Sequence, residues 1–472
     1  MAVSEQSAHV AVIGGGISGL AAAHALRQHA GDRLRVTVFE AHSRIGGKLR
    51  VSEIAGVPVD EGADAILTRR PEAVELARAV GLGDELVPAA DTRAAVRTPG
   101  GPRPLPRGQV MGVPGDLAAL ARADVLSTFG LARVPADLVL PRTPLAGDVA
   151  VGRYVAARLG GEVVGQLVEP LLGGVYAGHA DELSLDATIP ALAGAVSRER
   201  SLILAARWVL AKASTAGGQP FTTPRGGLGL LPDAVAQASG ATVRTSATVR
   251  ELRRTPSGWR LTVGPTRAPD SVEADAVVLA LPARPAGRLL ADDVPRAAAE
   301  LASIDYASVA IVTLAYDRAA FPAPLDGSGY LVPPASGRDV KAVTFSTTKW
   351  PHLADTAPDT VVVRCSLGRY GEEGTLQRDD EELVAAAMAE LAEATGVREL
   401  PVDTRVSRWG GGLPQYTVGH LDRVARARAA VADVPGLALC GAAYDGLGVP
   451  ACVSTAREAA ARVLEHVSYE RQ

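Results

Sequence analysis

Three glycines and one carboxylate carry the first chemical signal in this chain. Gly14, Gly16 and Gly19 stand in G-x-G-x-x-G spacing behind the short apolar run at residues 10–13, and an Ala/Leu-rich stretch follows. Residues 36–39 read as a second buried strand, closed by Glu40. Such a strand, turn, helix and strand predict a dinucleotide site. The first glycine permits a sharp turn, the second lets a pyrophosphate reach the backbone, and the third lets helix and strand pack closely. The helix start, through Gly15, Ile17 and Ser18, offers free N–H groups and a positive dipole end to phosphate. Glu40, about 20 residues past the last glycine, stands where a carboxylate accepts hydrogen bonds from a ribose.

The next residues narrow the cofactor. Arg44-Ile45-Gly46-Gly47-Lys48, just past Ala41, resembles the second signature of the flavin amine oxidase superfamily. The resemblance implies FAD, with Arg44, Gly47 and Lys48 beside its pyrophosphate and ribityl chain. Glu61-Gly62-Ala63-Asp64-Ala65 is similar to a third flavin contact, where small residues let backbone lie against the isoalloxazine ring. Trp409-Gly410-Gly411-Gly412 resembles the aromatic/glycine segment near that ring. Gly441 ends a strand in a turn, and Gly448-Val449-Pro450 opens the last helix. Its positive end is expected at the flavin edge where charge appears on reduction. In this superfamily the position of Val249 holds the adenine through its backbone. Residues 409–416 lack the cysteine of the covalent amine oxidases, so the FAD is expected to be non-covalent.

A second string narrows the family. Glu169-Pro170-Leu171-Leu172-Gly173-Gly174-Val175-Tyr176-Ala177-Gly178 resembles the E-P-L-L-x-G-[IV]-Y-A-G motif of bacterial protoporphyrinogen/coproporphyrinogen oxidases. In physical terms, Gly174 allows close approach of a flat ligand, and Val175 and Tyr176 offer an apolar wall. Arg70 is the candidate partner of a substrate carboxylate, since arginine binds carboxylates through two parallel donors; the alternative is a solvated cation at a helix start. The resemblance implies a six-electron oxidation of a porphyrinogen, with molecular oxygen as acceptor and hydrogen peroxide released. Coproporphyrinogen III is favoured over protoporphyrinogen IX by the lack of an apolar anchor together with the likeness to soluble Gram-positive members of the family. No catalytic side chain is expected, because the flavin carries the redox chemistry.

Two departures from the family pattern concern substrate contacts. Ala94 and Ala95, flanked by Arg93 and Arg97, occupy the place of a propionate-pairing arginine. R-C-Y-x-G reads Arg364-Cys365-Ser366-Leu367-Gly368, with serine for tyrosine. Other readings remain open: a flavin monoamine oxidase or carotenoid desaturase, with Lys341 or Lys349 holding water at the flavin, or a flavin-bearing protein that delivers porphyrin to a ferrochelatase. Transient ferrochelatase contact is also compatible with the oxidase reading.

These residues need an α/β scaffold. A chain of 472 residues with 47% hydrophobic content suffices for several domains. The expected architecture is a discontinuous Rossmann-like FAD-binding domain of p-hydroxybenzoate hydroxylase-like topology, spanning 1–70, 223–290 and 405–472. A mixed-sheet substrate domain takes 71–107, 187–222 and 291–404, and a helical domain takes 108–186. Residues 98–114 read as a connecting ribbon, and residues 274–281 as one buried strand. A net charge of −4 argues against a nucleic-acid footprint. Cys365, Cys440 and Cys452 lack metal or disulfide spacing, and the histidines read as isolated and either structural or solvent-facing. No leader pattern and no apolar run of membrane length appear, so a cytoplasmic protein without a transmembrane segment is expected.

Overall fold

A computed structural model describes residues 7–144, 147–213 and 219–469. Its centre is a five-stranded parallel sheet ordered Thr242–Arg244, Leu34–Phe39, Ala8–Ile13, Ala276–Leu279 and Leu437–Leu439. The strand Ala8–Ile13 is buried throughout, and apolar but for His9, because both its faces are covered. Val10 and Val12 enter a core shared with helices Ile17–Ala30 and Val449–Tyr469. Ala11 and Ile13 enter the opposite core, against Trp259, Leu261 and Val263 of a three-stranded antiparallel layer.

The stretch 274–281, expected as one strand, holds a shorter one, and Ala274 already closes the strand before it. Asp270–Ala274 belongs to the antiparallel layer and Ala276–Leu279 to the parallel sheet. The chain changes layer at Asp275, whose carboxylate accepts the His9 N–H at 2.6 Å.

A second, seven-stranded sheet runs Asp403–Pro414, Tyr306–Asp317, Thr360–Leu367, Val340–Phe345, Gly329–Leu331, Ala94–Thr98 and Gly101–Pro104. Only the Gly329–Leu331/Ala94–Thr98 pair is parallel. Helix Asp380–Thr395 covers one face; Asp379 and Glu382 form its capping box and Gly396 ends it. Residues 98–114 are more than a ribbon: Gly101–Pro104 edges the sheet, and Gln109–Val110 pairs with Val113–Pro114. Prolines at 102 and 104 suit an edge strand, where the missing donors cost no ladder bond.

Helices from Leu117–Ala123 to Leu202–Ala213 share a third core, including Leu167, Leu172, Leu192 and Ile203. Within it Arg158 and Asp137, 1% and 0% exposed, pair at 2.5 Å. No described helix is long and apolar enough to cross a membrane.

Candidate flavin and substrate site

The glycine turn is fixed by backbone. Gly14, at φ +113°, donates its N–H to the Phe39 carbonyl at 2.8 Å, tying the turn to the second strand. A β-carbon on Gly19 would overlap the Gly14 carbonyl oxygen, so the helix approaches this closely only with glycine there. Glu40 is buried and already oriented: Oε2 accepts the Gly15 N–H at 2.8 Å, and Oε1 accepts the His42 N–H at 2.8 Å. Gly46 donates to the Gly15 carbonyl at 2.8 Å and Arg44 Nη2 to the Gly47 carbonyl at 2.9 Å, so the two signatures form one cradle. Ala41 and Gly47 are exposed on it and Lys48 is half-buried.

The cradle fits a dinucleotide. Helix Ile17–Ala30 starts without a side-chain cap or an acidic residue in its first turn, leaving its first N–H groups for an external acceptor. A β-carbon on Gly16 would meet nothing within 4 Å, which marks open space over those donors. Gly441 also borders space, its nearest neighbours lying 3.9 Å from an added β-carbon, and its N–H donates to Thr455 Oγ1 at 3.1 Å. Gly448 precedes the last helix, where Val449 and Pro450 are buried. Val249 begins the strand Val249–Thr255 and is half-buried.

The segment Glu61–Ala65 is held from the second sheet. Trp409 Nε1 donates to the Glu61 carbonyl at 2.8 Å, and Arg364 Nη2 to the Gly62 carbonyl at 2.5 Å. A β-carbon on Gly62 would overlap the Lys48 carbonyl oxygen. Ala63 is exposed and Ala65 half-buried. Asp64 Oδ2 accepts from Lys349 Nζ at 2.8 Å and Trp350 Nε1 at 3.2 Å, and Arg364 Nη1 stands 3.5 Å away. Burial opposes ionisation of Asp64, but Lys349 and Arg364 prevail and hold its carboxyl well below the usual range. Asp60 behaves in the opposite way: burial pushes it up to about 7, against the Leu228 N–H and Arg364.

The roles of Lys349 and Arg364 at Asp64 were not foreseen. In the sequence Arg364 belongs only to the R-C-Y-x-G-like string, and Lys349 only to the water-holding alternative. The other such lysine, Lys341, pairs across from Val332, itself in the core beneath helix Asp380–Thr395.

Helix Glu169–Tyr176 brings Gly174 against the second sheet, where an added β-carbon would lie 3.3 Å from Leu331 Cδ2. Val175 is 46% exposed, whereas Tyr176 is buried with its ring 5.6 Å from that of Tyr416. His179 is not isolated: Nδ1 lies 3.1 Å from Glu169 Oε1 and Nε2 2.9 Å from the Tyr370 carbonyl. Glu169 chiefly, helped by the Tyr370 carbonyl and opposed by burial, pushes His179 up to about 9. Arg70 Nη2 lies 2.7 Å from Glu72 Oε1 and remains partly exposed. Arg97 is buried against Glu393 at 2.6 Å, and Arg93 binds Asp91 and Asp326.

The sequence profile of the flavin containing amine oxidoreductases matches residues 17–464. The chain belongs to that family. It is 39% identical to a coproporphyrinogen III oxidase of Mycobacterium tuberculosis (strain ATCC 25618 / H37Rv), over 96% of this chain and 97% of the relative. It is 31% identical to one of Bacillus subtilis (strain 168), over 98% and 100%. A crystal structure from Exiguobacterium sp. 255-15, of a candidate protoporphyrinogen oxidase, superposes with TM-score 0.85 at 32% identity, covering 98% of this chain and 99% of that one. Membership makes the protein's cofactor a flavin.

Proposed function

We propose that the protein is an FAD-dependent oxidase converting coproporphyrinogen III to coproporphyrin III in haem biosynthesis, a six-electron oxidation with molecular oxygen as acceptor and hydrogen peroxide as product. The observation that carries this reading is full-length similarity to enzymes named for that substrate, at 39% identity over 96% of the chain. The geometry agrees with it. Glu169–Tyr176 faces the second sheet through Gly174 and Leu331, and the same sheet holds the Glu61–Ala65 segment through Trp409 and Arg364.

The dinucleotide form of the flavin is supported by Glu40, set for a ribose, and by the open glycine turn set for a pyrophosphate. Non-covalent binding is supported by the three cysteines, all buried and none within residues 409–416. Bound FAD supplies the two-electron acceptor that no side chain can. The chain's own part is to orient and enclose. Gly14–Gly19, Glu40–Lys48, Val249 and Gly441–Pro450 hold the cofactor, while Glu61–Ala65 and Trp409 present backbone to its ring. Gly174, Val175 and Tyr176 border the tetrapyrrole slot. Arg70, itself partly exposed, receives a propionate by exchanging its half-buried partner Glu72.

In this reading the chain keeps the three domains read from the sequence, with the helices up to Leu202–Ala213 packed in the helical core, and the enzyme works in the cytoplasm, passing its product to a ferrochelatase by transient contact. Protoporphyrinogen IX is the second reading, favoured by the Exiguobacterium structure and its description. The test is to supply purified FAD-loaded protein with each porphyrinogen in air and record porphyrin fluorescence with peroxide. Three peroxides for each coproporphyrin formed supports the reading; turnover of protoporphyrinogen IX alone moves it to the second.

A further inference from the structure

Behind the Glu61–Ala65 segment lies a cavity of about 20 Å³, lined in part by Asp60, Thr223, Ser346, His352, Trp350 and Arg364. Three buried polar atoms of its lining residues, Thr223 Oγ1, Ser346 Oγ and Arg364 Nε, have no hydrogen-bond partner. Thr223 and Ser346 are each 2% exposed and Arg364 8%. Leaving such groups unsatisfied costs about 1–3 kcal/mol each, and native interiors avoid it. A water needs roughly 10–15 Å³ and two to four polar partners. Size and partner number both match one molecule.

The surrounding charges give this water a consequence. Asp60 receives N–H groups from Leu228 at 2.9 Å and Gly229 at 3.0 Å. Arg364 faces it from strand Thr360–Leu367, and Asp64 from its own segment. Lys349, His352 and Asp355 come from the segment 346–355, and Arg225 from the turn 223–227, where it pairs with Asp355 at 3.3 Å. Asp64 is matched by Lys349 at 2.8 Å. Arg364 is then balanced only while Asp60 is ionised. Protonating Asp60 leaves a net positive guanidinium bonded to the Gly62 carbonyl.

We propose that Thr223, Ser346, Arg364 and Asp60 hold one buried water, and that Asp60 acts through it and Arg364 as a positioning residue whose protonation favours flavin reduction. Reduction adds negative charge at the ring, which a nearby uncompensated cation stabilises. Burial holds Asp60 at about 7, so the effect falls at working pH. The proposal rests on the flavin reading of the site and not on the identity of the substrate.

The test is the midpoint potential of the full FAD-loaded protein from pH 5.5 to 8.5, measured against a redox dye without porphyrinogen. The expected result is a bend near pH 7 beyond that of the flavin itself, absent in Asp60→Asn, which stays on the high-potential branch. Ser346→Ala removes one water partner and is expected to shift the bend, and a high-resolution crystal structure is expected to show one water in the cavity. Superimposable profiles for wild type and Asp60→Asn overturn the proposal. Where Asp60→Asn does not retain flavin, an unmoved bend in Ser346→Ala together with an empty cavity does so. A protein that shows the bend but oxidises no porphyrinogen upholds the proposal and refutes the functional reading.

Discussion

Glu169→Gln tests the clasp that holds the Glu169–Tyr176 helix. In the structure Glu169 Oε2 accepts the Ala180 N–H at 2.6 Å and Oε1 faces His179 Nδ1, while His179 Nε2 reaches the Tyr370 carbonyl. The Tyr370 N–H donates to the Ala177 carbonyl at 2.7 Å, closing the loop onto the motif. His179 is raised from 6.5 to about 9, and each tenfold change in proton affinity is worth about 1.4 kcal/mol. That bounds the charged form at roughly 3 kcal/mol. With the His179 side chain 33% exposed, solvent screening reduces the expected value to about 1–2 kcal/mol. A raised histidine stabilises fully below its unfolded value, so the contribution is complete below 6.5 and disappears as pH rises through about 9. Urea unfolding of flavin-loaded protein across this window is the assay. Wild type is expected to lose about 1–2 kcal/mol more than Glu169→Gln between its ends. Parallel profiles for the two proteins would refute the reasoning, because glutamine keeps the shape and removes the charge.

Further outcomes are expected elsewhere in the chain. Glu40→Ala removes an oriented acceptor at the cofactor turn, and FAD affinity measured by fluorescence is expected to fall about 10- to 100-fold, the worth of hydrogen bonds to a charged group. Gly19→Ala forces a β-carbon into the Gly14 carbonyl, so a lower melting temperature and loss of flavin are expected together, with about 1–3 kcal/mol or more of strain. Arg158→Met strands the Asp137 carboxylate inside the helical core and is expected to cost about 3–5 kcal/mol in denaturant titration, with flavin still bound.

Residues 10–49 were legible in sequence because local chemistry dictates them. A turn that must pass a phosphate needs glycines at fixed spacing, and an apolar strand covered on both faces leaves no alternation to misread. The break at Asp275 was not legible, because Ala274 and Ala276 on either side of it are both small and buried, and the His9 N–H that binds the Asp275 carboxylate is distant in the chain. His179 looked isolated because its partners, Glu169 and Tyr370, lie on a helix and a distant loop. The cluster of Asp60, Asp64, Lys349 and Arg364 escaped for the same reason. Its acids stand on residues 60–64 and its bases on the second sheet and the adjoining helical turn, so no spacing in the chain links them. Ala94 and Ala95 were noted as a missing cation site; the structure adds that the flanking Arg97 is committed to Glu393 and Glu390.

The most direct test of the central claim is rapid anaerobic mixing of FAD-loaded protein with coproporphyrinogen III, and separately with protoporphyrinogen IX, following bleaching of the flavin visible band. The account predicts faster bleaching with coproporphyrinogen III, followed by coproporphyrin fluorescence and return of the flavin band when air is admitted. A flavin that stays oxidised with both porphyrinogens, and bleaches instead with an amine, would contradict it.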